Sequence, residues 1–272
     1  MNSFSQRFPA AFVTGASSGL GLVIAKSLQA EGVEVWAGSR SAKRIVDTGL
    51  PFRPVELDLA DGEAVRQFIQ APPWTDWPTL LVNNAGYGEF SSIKGVTGES
   101  LSKQVTAMLT SAADLARAFL SAGVHHELGT GVVNVSSLAV EFPLPFLHGY
   151  NAVKAGLSGF SRSLAIEFPG GGNRAFVLDL RPGDYRTGFN EAIHRKESSD
   201  DLAQVWAALE KHLQQGADPE AIWPPLRSAL LAGNSGTVRV GTFFQAKFAP
   251  FMAKILPERW MSFFQKRYYN IR

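Results

Sequence analysis

The sequence predicts one α/β domain, a doubly wound parallel sheet of about seven strands with helices on both faces. Three observations carry that expectation. Short β-type runs alternate with helical segments along most of the chain, the pattern of parallel strands joined by crossover helices. The first run, Ala10 to Val13, passes through a glycine turn into a helical segment, Leu22 to Ala30. At 272 residues, 45% of them hydrophobic, the chain can bury one substantial core.

The turn reads T-G-A-S-S-G-L-G from Thr14 to Gly21. Glycines at 15, 19 and 21 let the backbone bend sharply and come close to a diphosphate, which would meet the free amides and positive dipole end of the next helix. The spacing differs from the commoner G-x-G-x-x-G, and an ordinary tight strand-to-helix turn would use the same glycines. Gly32 then stops the first helix, and Val33 to Gly38 is a second strand running into Ser39 and Arg40. Val55, Leu57, Asp58 and Leu59 close a third strand, and Asp61 to Ile69 is a short helix. A connector with Pro72, Pro73 and Pro78 leads to the fourth strand, Leu80 to Asn83, which opens directly into N-N-A-G at Asn83 to Gly86. Right-handed crossovers would gather these strand ends on one edge of the sheet.

A long helix is expected from Ser100 to Leu120, with Leu101, Val105, Met108, Leu109, Leu115 and Phe119 at roughly helical spacing. Gly131 to Ser136 is a buried strand by its β-branched content and ends at Ser137, followed by a Pro- and Phe-rich loop, Glu141 to Leu147. The next helix, from about Tyr150 to Phe168, carries Tyr150 and Lys154 at i and i+4, one turn apart on the same side. Arg174 to Leu180 is a strand delivering R-P-G at Arg181 to Gly183, and Thr237 to Val240 is the last strand.

Composition excludes several functions. Without cysteine the chain has no disulfide, no thiolate nucleophile and no Cys-based zinc site, and its five histidines show no metal-ligand spacing. No apolar run reaches the roughly 20 residues of a spanning helix, and the first nine residues lack a signal-peptide core, so a cytoplasmic protein is expected. A net charge of +2 argues against a nucleic-acid-binding surface.

The glycine turn, the N-N-A-G after the fourth strand, Ser137, the Tyr150/Lys154 pair and the Pro182-Gly183 turn, in this order, resemble the short-chain dehydrogenase/reductase family over about residues 8 to 190. The resemblance implies a Rossmann-type domain, about 8–240, and catalysis by Ser137, Tyr150 and Lys154, with Ser137 chosen over Ser136 by its distance from the tyrosine. It also implies a cofactor site at Gly15, Ser17, Ser18, Gly19, Leu20, Gly21, Arg40, Asp58, Leu59, Asn84, Ala85, Gly86, Tyr150, Lys154, Pro182, Gly183, Tyr185 and Thr187, and pairing as a homodimer or homotetramer. The chemistry follows from the residue types. A carbonyl receiving a hydride must take up a proton, and a phenol with an ordinary pKa near 10 does this better when a neighbouring cation, here Lys154, lowers that value. Ser137 would donate to the substrate oxygen as charge grows there. One position departs from the family: Met108 stands where an asparagine is common, able to offer only its backbone carbonyl to a proton relay, or else a plain core residue.

At the end of the second strand an acid would bind adenosine ribose hydroxyls and repel a 2′-phosphate. This chain has Ser39 and Arg40 there, with Lys43 and Arg44 close behind, which favours NADP over NAD. The segment of about 188–233 is expected to form a substrate lid, with a helix capped by Ser198 or Ser199 and an apolar face of Leu202, Val205, Trp206, Leu209 and Leu213. Leu138, Val140, Phe142, Phe146, Tyr185 and Phe189 would wall a pocket for a bulky hydrophobic alcohol or ketone, steroid-like, lipid-like or aromatic. Glu141 and His148 stand out in such a wall, either as surface residues or as polar contacts to substrate. An NADPH-dependent carbonyl reductase is the first functional expectation; a non-enzymatic dinucleotide-binding sensor or scaffold with the same fold is the alternative.

The tail, 241–272, holds Lys247, Lys254, Arg259, Lys266, Arg267 and Arg272 against Glu258 alone, a net +5 that leaves −3 on the remainder. Phe244, Phe248, Phe251, Met252 and Ile255 lie at helical spacing, with Pro250 forcing a kink or restart, and Trp260, Phe263, Phe264, Tyr268 and Ile271 repeat the pattern after Pro257. Two readings stand: packing on the domain's own core, over the substrate lid or against a second subunit, or peripheral contact with a membrane.

Overall fold

Residues 3–123, 127–171, 174–195 and 200–271 are described by a computed structural model. The chain opens with a single turn, α1 (Phe4–Arg7), in which Ser3 and Gln6 cap each other's backbone reciprocally. Strand β1 (Ala10–Thr14) leads through the glycine turn into α2 (Gly19–Ala30), then come β2 (Glu34–Ser39), α3 (Ala42–Val46) and β3 (Arg53–Glu56). Next are α4 (Gly62–Gln70), whose first amides are capped by Asp61, and β4 (Leu80–Asn83). After β5 (Gly88–Phe90) follow α5 (Gly98–Val105), α6 (Ser111–Gly123), β6 (Gly131–Val135) and α7 (His148–Glu167). The chain continues through β7 (Phe176–Pro182), β8 (Ile193–Arg195), α8 (Asp200–Gln214), α9 (Trp223–Ala232) and β9 (Gly236–Val240). It finishes with α10 (Ala249–Ile255) and α11 (Glu258–Tyr268).

Seven strands form one parallel sheet in the order β3-β2-β1-β4-β6-β7-β9. The order reverses at β1 and β4, so the carboxyl ends of these strands flank a crevice. Alternation along β1 sets the two layers: Ala11 and Val13 face a core shared with Ile24 and Leu28 of α2 and Leu226 and Leu230 of α9, whereas Phe12 faces Leu115 and Phe119 of α6. On that second side Trp74, from the proline-rich connector, packs 5.3 Å from Phe12 and 5.9 Å from Phe119 between ring centroids. Burying each such ring stabilises the fold by about 1.5–3 kcal/mol. The seven-stranded doubly wound sheet expected from the sequence is the one observed.

Four local expectations change. The long helix from Ser100 to Leu120 is broken by a wide π-type turn, Thr106–Thr110, and Leu101 lies on its exposed side. The third strand ends at Glu56, where Leu57 makes a last ladder bond to Ser39 and Asp58 then turns the chain by accepting the Ala60 amide at 3.0 Å. A short parallel pair, β5 with β8, escaped notice because three residues carry no periodicity. The lid is also smaller than 188–233: Ile222, Leu226 and Leu230 are fully buried in the main core, so α9 is a flanking helix of the sheet. The expected Ser198 or Ser199 cap lies outside the described residues. Helix α8 does present Leu202, Val205, Leu209 and Leu213 to a third core with Phe90, Leu147, Ile193 and Tyr269.

Candidate active site

A connected cavity of about 1290 Å³ runs along the carboxyl ends of the central strands and under the lid and tail. One end is the glycine turn. Gly15 holds φ +67°, and a Cβ there would stand 2.8 Å from Ala85 Cα; a Cβ on Gly21 would meet the Gly15 carbonyl oxygen at 2.3 Å. These glycines are demanded by contact between the turn, its helix and the N-N-A-G segment. Gly21 therefore packs behind the turn, while Gly15, Ser17, Ser18, Gly19 and Leu20 face the cavity. The helix cap Ser18 makes no side-chain hydrogen bond, which leaves the first amides of α2 without a side-chain acceptor. Such a cradle, narrow and edged by a helix N-terminus, fits a dinucleotide diphosphate.

The asparagines divide the work of holding this cradle. Asn83 donates to the Ala112 carbonyl at 2.8 Å and to Asn134 at 2.9 Å, tying β4 to α6 and β6. Asn84 donates to the carbonyls of Thr14 and Gly15, and Thr14 Oγ1 accepts the amides of Asn84 and Ala85 at 3.0 and 3.1 Å. Asn84, Ala85 and Gly86 thereby form a wall of the cavity. Met108 is buried beneath them, and its sulfur accepts the Tyr87 amide at 3.3 Å. It is a packing residue with one polar duty.

Arg40, Arg44, Asp58 and Leu59 line the same end as the glycine turn, where Ser39 Oγ donates to Ser17 Oγ at 3.5 Å. Both arginines are exposed, and neither forms an ion pair among the described residues. Lys43 instead binds Asp47 at 2.7 Å, on the solvent side.

At the middle of the cavity Ser137, Tyr150 and Lys154 converge. Ser137 lies near enough to the Tyr150 hydroxyl to favour its ionised form, and its Oγ accepts the Ala139 amide at 3.0 Å. Ser136 is committed elsewhere, to Asp179 and the Leu180 carbonyl. Lys154 Nζ donates to the Val135 carbonyl at 2.7 Å and lies 5.7 Å from the centre of the Tyr150 ring. Burial dominates both ionisations. The Tyr150 phenol is pushed up to about 12, only partly offset by Ser137, so the lowering expected from Lys154 is not seen. The Lys154 ammonium is drawn down to about 8 by burial, against the opposing pull of Asp179. Asp179 itself accepts from Ser136, Ser158 at 2.8 Å and Arg181 at 2.8 Å, a buried network directly beneath the two reactive-type side chains.

The remaining wall mixes expected and unexpected residues. Pro182, Gly183, Tyr185 and Thr187 face the cavity, as do Leu138, Phe142 and Phe189, whose ring lies 5.7 Å from that of Tyr150. Val140 and Phe146 do not. Val140 sits on a short 3₁₀ turn away from the cavity, and Phe146 is drawn to Phe90, 5.6 Å between centroids. Glu141 is neither a surface residue nor a cavity residue: it is largely buried in ion pairs with Arg181 and Arg239. His148 is exposed at the start of α7. Sequence reasoning missed Asp184, which lines the cavity and receives a hydrogen bond from Gln245 Nε2 at 2.6 Å, and whose carboxyl burial raises in pKa. Packing of the tail over the lid was one reading open from the sequence, and Met252, Leu256, Met261, Gln265 and Tyr269 of the tail do close the cavity. Their signal was a second apolar side on helices already read as amphipathic.

A family model described as short chain dehydrogenase matches residues 9–198. A 3-ketodihydrosphingosine reductase of Bacteroides thetaiotaomicron is 26% identical over 272 residues, covering 96% of this chain and 97% of its own. A short-chain dehydrogenase from Streptomyces avermitilis has a solved structure that superposes with a TM-score of 0.75 at 25% identity, covering 96% of this chain and 99% of that one. The fold is shared too with an alcohol dehydrogenase from Thermococcus sibiricus, complexed with 5-hydroxy-NADP, at a TM-score of 0.66 and 22% identity, over 86% of this chain and 97% of that one.

Proposed function

The chain belongs to the short-chain dehydrogenase family, and from that premise we propose that this oxidoreductase uses NADP(H) to interconvert a ketone or aldehyde and an alcohol on a bulky hydrophobic substrate. The observation that carries the reading is the convergence of Ser137, Tyr150 and Lys154 midway along a cavity with an anion cradle at one end and apolar walls at the other. The nicotinamide ring, when bound, supplies or accepts the hydride. Everything else falls to side chains and backbone of this chain.

The free amides at the start of α2 and the open turn at Gly15 to Gly19 would take the diphosphate. Arg40 and Arg44 would take the 2′-phosphate, a contact that an acid at the same place would oppose. Tyr150, kept protonated by burial, is suited to give its proton to a carbonyl oxygen that is gaining negative charge. Ser137, beside that phenol, would donate to the same oxygen and so fix the substrate's orientation. Lys154 is anchored through Val135 beside the tyrosine ring, where its charge stabilises the phenolate left after transfer. Leu138, Phe142, Tyr185 and Phe189 support a hydrophobic substrate, and so does the name of the Bacteroides relative, a reductase of a keto compound.

The test is turnover of NADPH with a panel of hydrophobic ketones, followed by the absorbance of the reduced nicotinamide. Tyr150→Phe should abolish turnover and leave NADPH affinity nearly intact, because it removes the proton donor and little else. Substantial residual activity in that variant would remove the phenol from the chemistry; no turnover by the unaltered protein on any ketone would favour a dinucleotide-binding role without catalysis.

A further inference from the structure

The two tail helices have unlike sides. Met252, Leu256, Met261 and Tyr269 turn inward to close the cavity. On the other side Phe251 and Ile255 of α10 are each 62% exposed, and Phe263 of α11 is 54% exposed. Phe244, Phe248, Trp260 and Phe264 are also open to solvent, with ring centroids 5.6 Å apart for Phe244 and Phe248 and 5.7 Å for Phe263 and Phe264. Their spacings, 244-248-251-255 and 260-263-264, put each set on one helical face. Of the residues named in the two stripes, Met252, Tyr268 and Ile271 pack over the cavity or the lid, and the rest are open to solvent.

Seven large apolar side chains gathered on α10, α11 and the π-type turn Phe244–Phe248 that leads into them form a patch that a water-facing monomer rarely carries. Charge identifies the occupant. Lys247, Arg259, Lys266 and Arg267 are exposed around the patch with Glu258 as the one acid of the tail, in a chain whose remainder is net negative. A neutral protein partner has no need of that ring of cations; an anionic lipid surface uses both the cations and the rings, which sit at the headgroup level. No described helix is long and apolar enough to cross a bilayer, so contact of this kind lies in the interface plane. Phe244, Phe248 and Phe264 belong to the exposed patch and to the cavity lining at once, which makes the patch the rim of the cavity.

We propose that α10 and α11 dock the protein on an anionic bilayer surface, with the rim of the cavity turned toward the lipid. The consequence, that hydrophobic substrate enters from the bilayer, rests on the function proposed above; the docking does not, and its test uses neither substrate nor turnover.

The full chain is mixed at low salt with vesicles of phosphatidylglycerol and phosphatidylcholine, or of phosphatidylcholine alone, and sedimented. Docking predicts retention on the anionic vesicles, much weaker retention on the neutral ones, and release as salt is raised. Phe251→Ser, Ile255→Ser and Phe263→Ser together, none of them a cavity residue, should lower the partition coefficient at least about tenfold with unchanged melting temperature and NADPH affinity. Lys247→Glu with Lys266→Glu should erase the preference for anionic over neutral vesicles. Full-length protein left in the supernatant at low salt overturns the proposal, as does undiminished retention of the triple-serine variant. So does a dimer in size exclusion that the triple-serine variant splits, since the patch would then face a second copy. Vesicle retention by a protein that reduces no ketone would sink the proposed function and leave the docking standing.

Discussion

Arg40 and Arg44 bring positive charge to the end of the cavity proposed to take the 2′-phosphate, and Lys43 does not, because Asp47 holds it on the solvent side. Arg40→Asp should therefore turn the cofactor preference from NADPH toward NADH. A hydrogen bond to a charged group contributes about 1.5–3 kcal/mol, so the ratio of kcat/KM for the two cofactors should move by about tenfold to a hundredfold. An unmoved ratio would assign the phosphate to Arg44 or to the glycine turn. The pH profile follows from burial in the same way. Lys154 is drawn down to about 8, so it is charged below that pH and loses its charge as pH rises through it; Tyr150, pushed up to about 12, remains protonated throughout. The kcat/KM for ketone reduction should be level at neutral pH and fall above about pH 8, the limb belonging to the lysine. A profile that falls from acidic pH upward would mean that the phenol ionises far lower than its buried position implies.

At the scale of elements, β7 is tied through Asp179 and Arg181 to Ser158 of α7, the helix that carries Tyr150 and Lys154. Asp179, Arg181 and Ser158 are all buried, with Glu141 closing the arginine's other side. Asp179→Ala would leave Arg181 facing a cavity with part of its charge uncompensated and would free Ser136 and Ser158. The expected cost is about 3–5 kcal/mol, read as a lower midpoint in denaturant unfolding, and far above that of losing an exposed pair. A small change would mean that water or Glu141 takes over the role. The network was invisible in the sequence. Strand β7 read simply as a buried run, and Glu141 as an oddity in an apolar loop, because partners such as Ser158 and Asp179, 21 residues apart, or Glu141 and Arg181, 40 apart, leave no local periodicity. The π-type turn at Thr106–Thr110 escaped for the opposite reason: its residues fit helical spacing well enough that one wide turn does not disturb the pattern.

Across the whole molecule, three separate stretches meet over the site: the turn after β7, the lid helix α8 and the tail. Gln245 binds Asp184, His212 of α8 stacks on Tyr268 at 3.8 Å, and Tyr269 is buried among Leu209, Leu213 and their neighbours. Tyr269→Ala should loosen the tail from the lid and raise KM for hydrophobic ketones, leaving NADPH affinity unaffected because the cradle lies at the other end. Burial of such a ring is worth about 1.5–3 kcal/mol, a rise in KM of about tenfold or more. Equal losses for both ligands would mean that the fold, and not the substrate end alone, depends on that ring. By itself the sequence determined the order of strands and helices, the glycine cradle, the tyrosine and lysine one helical turn apart, and the basic aromatic character of the tail. These are local: each is written in adjacent residues or in a period of two or of 3.6. Tertiary structure alone decided that Ser136 serves Asp179, that α9 is core and not lid, and that the tail shows much of its aromatic stripe to solvent while its other side seals the cavity. Those outcomes depend on which faces of distant segments come into contact, and an amphipathic helix with two apolar sides does not say which of them will be buried.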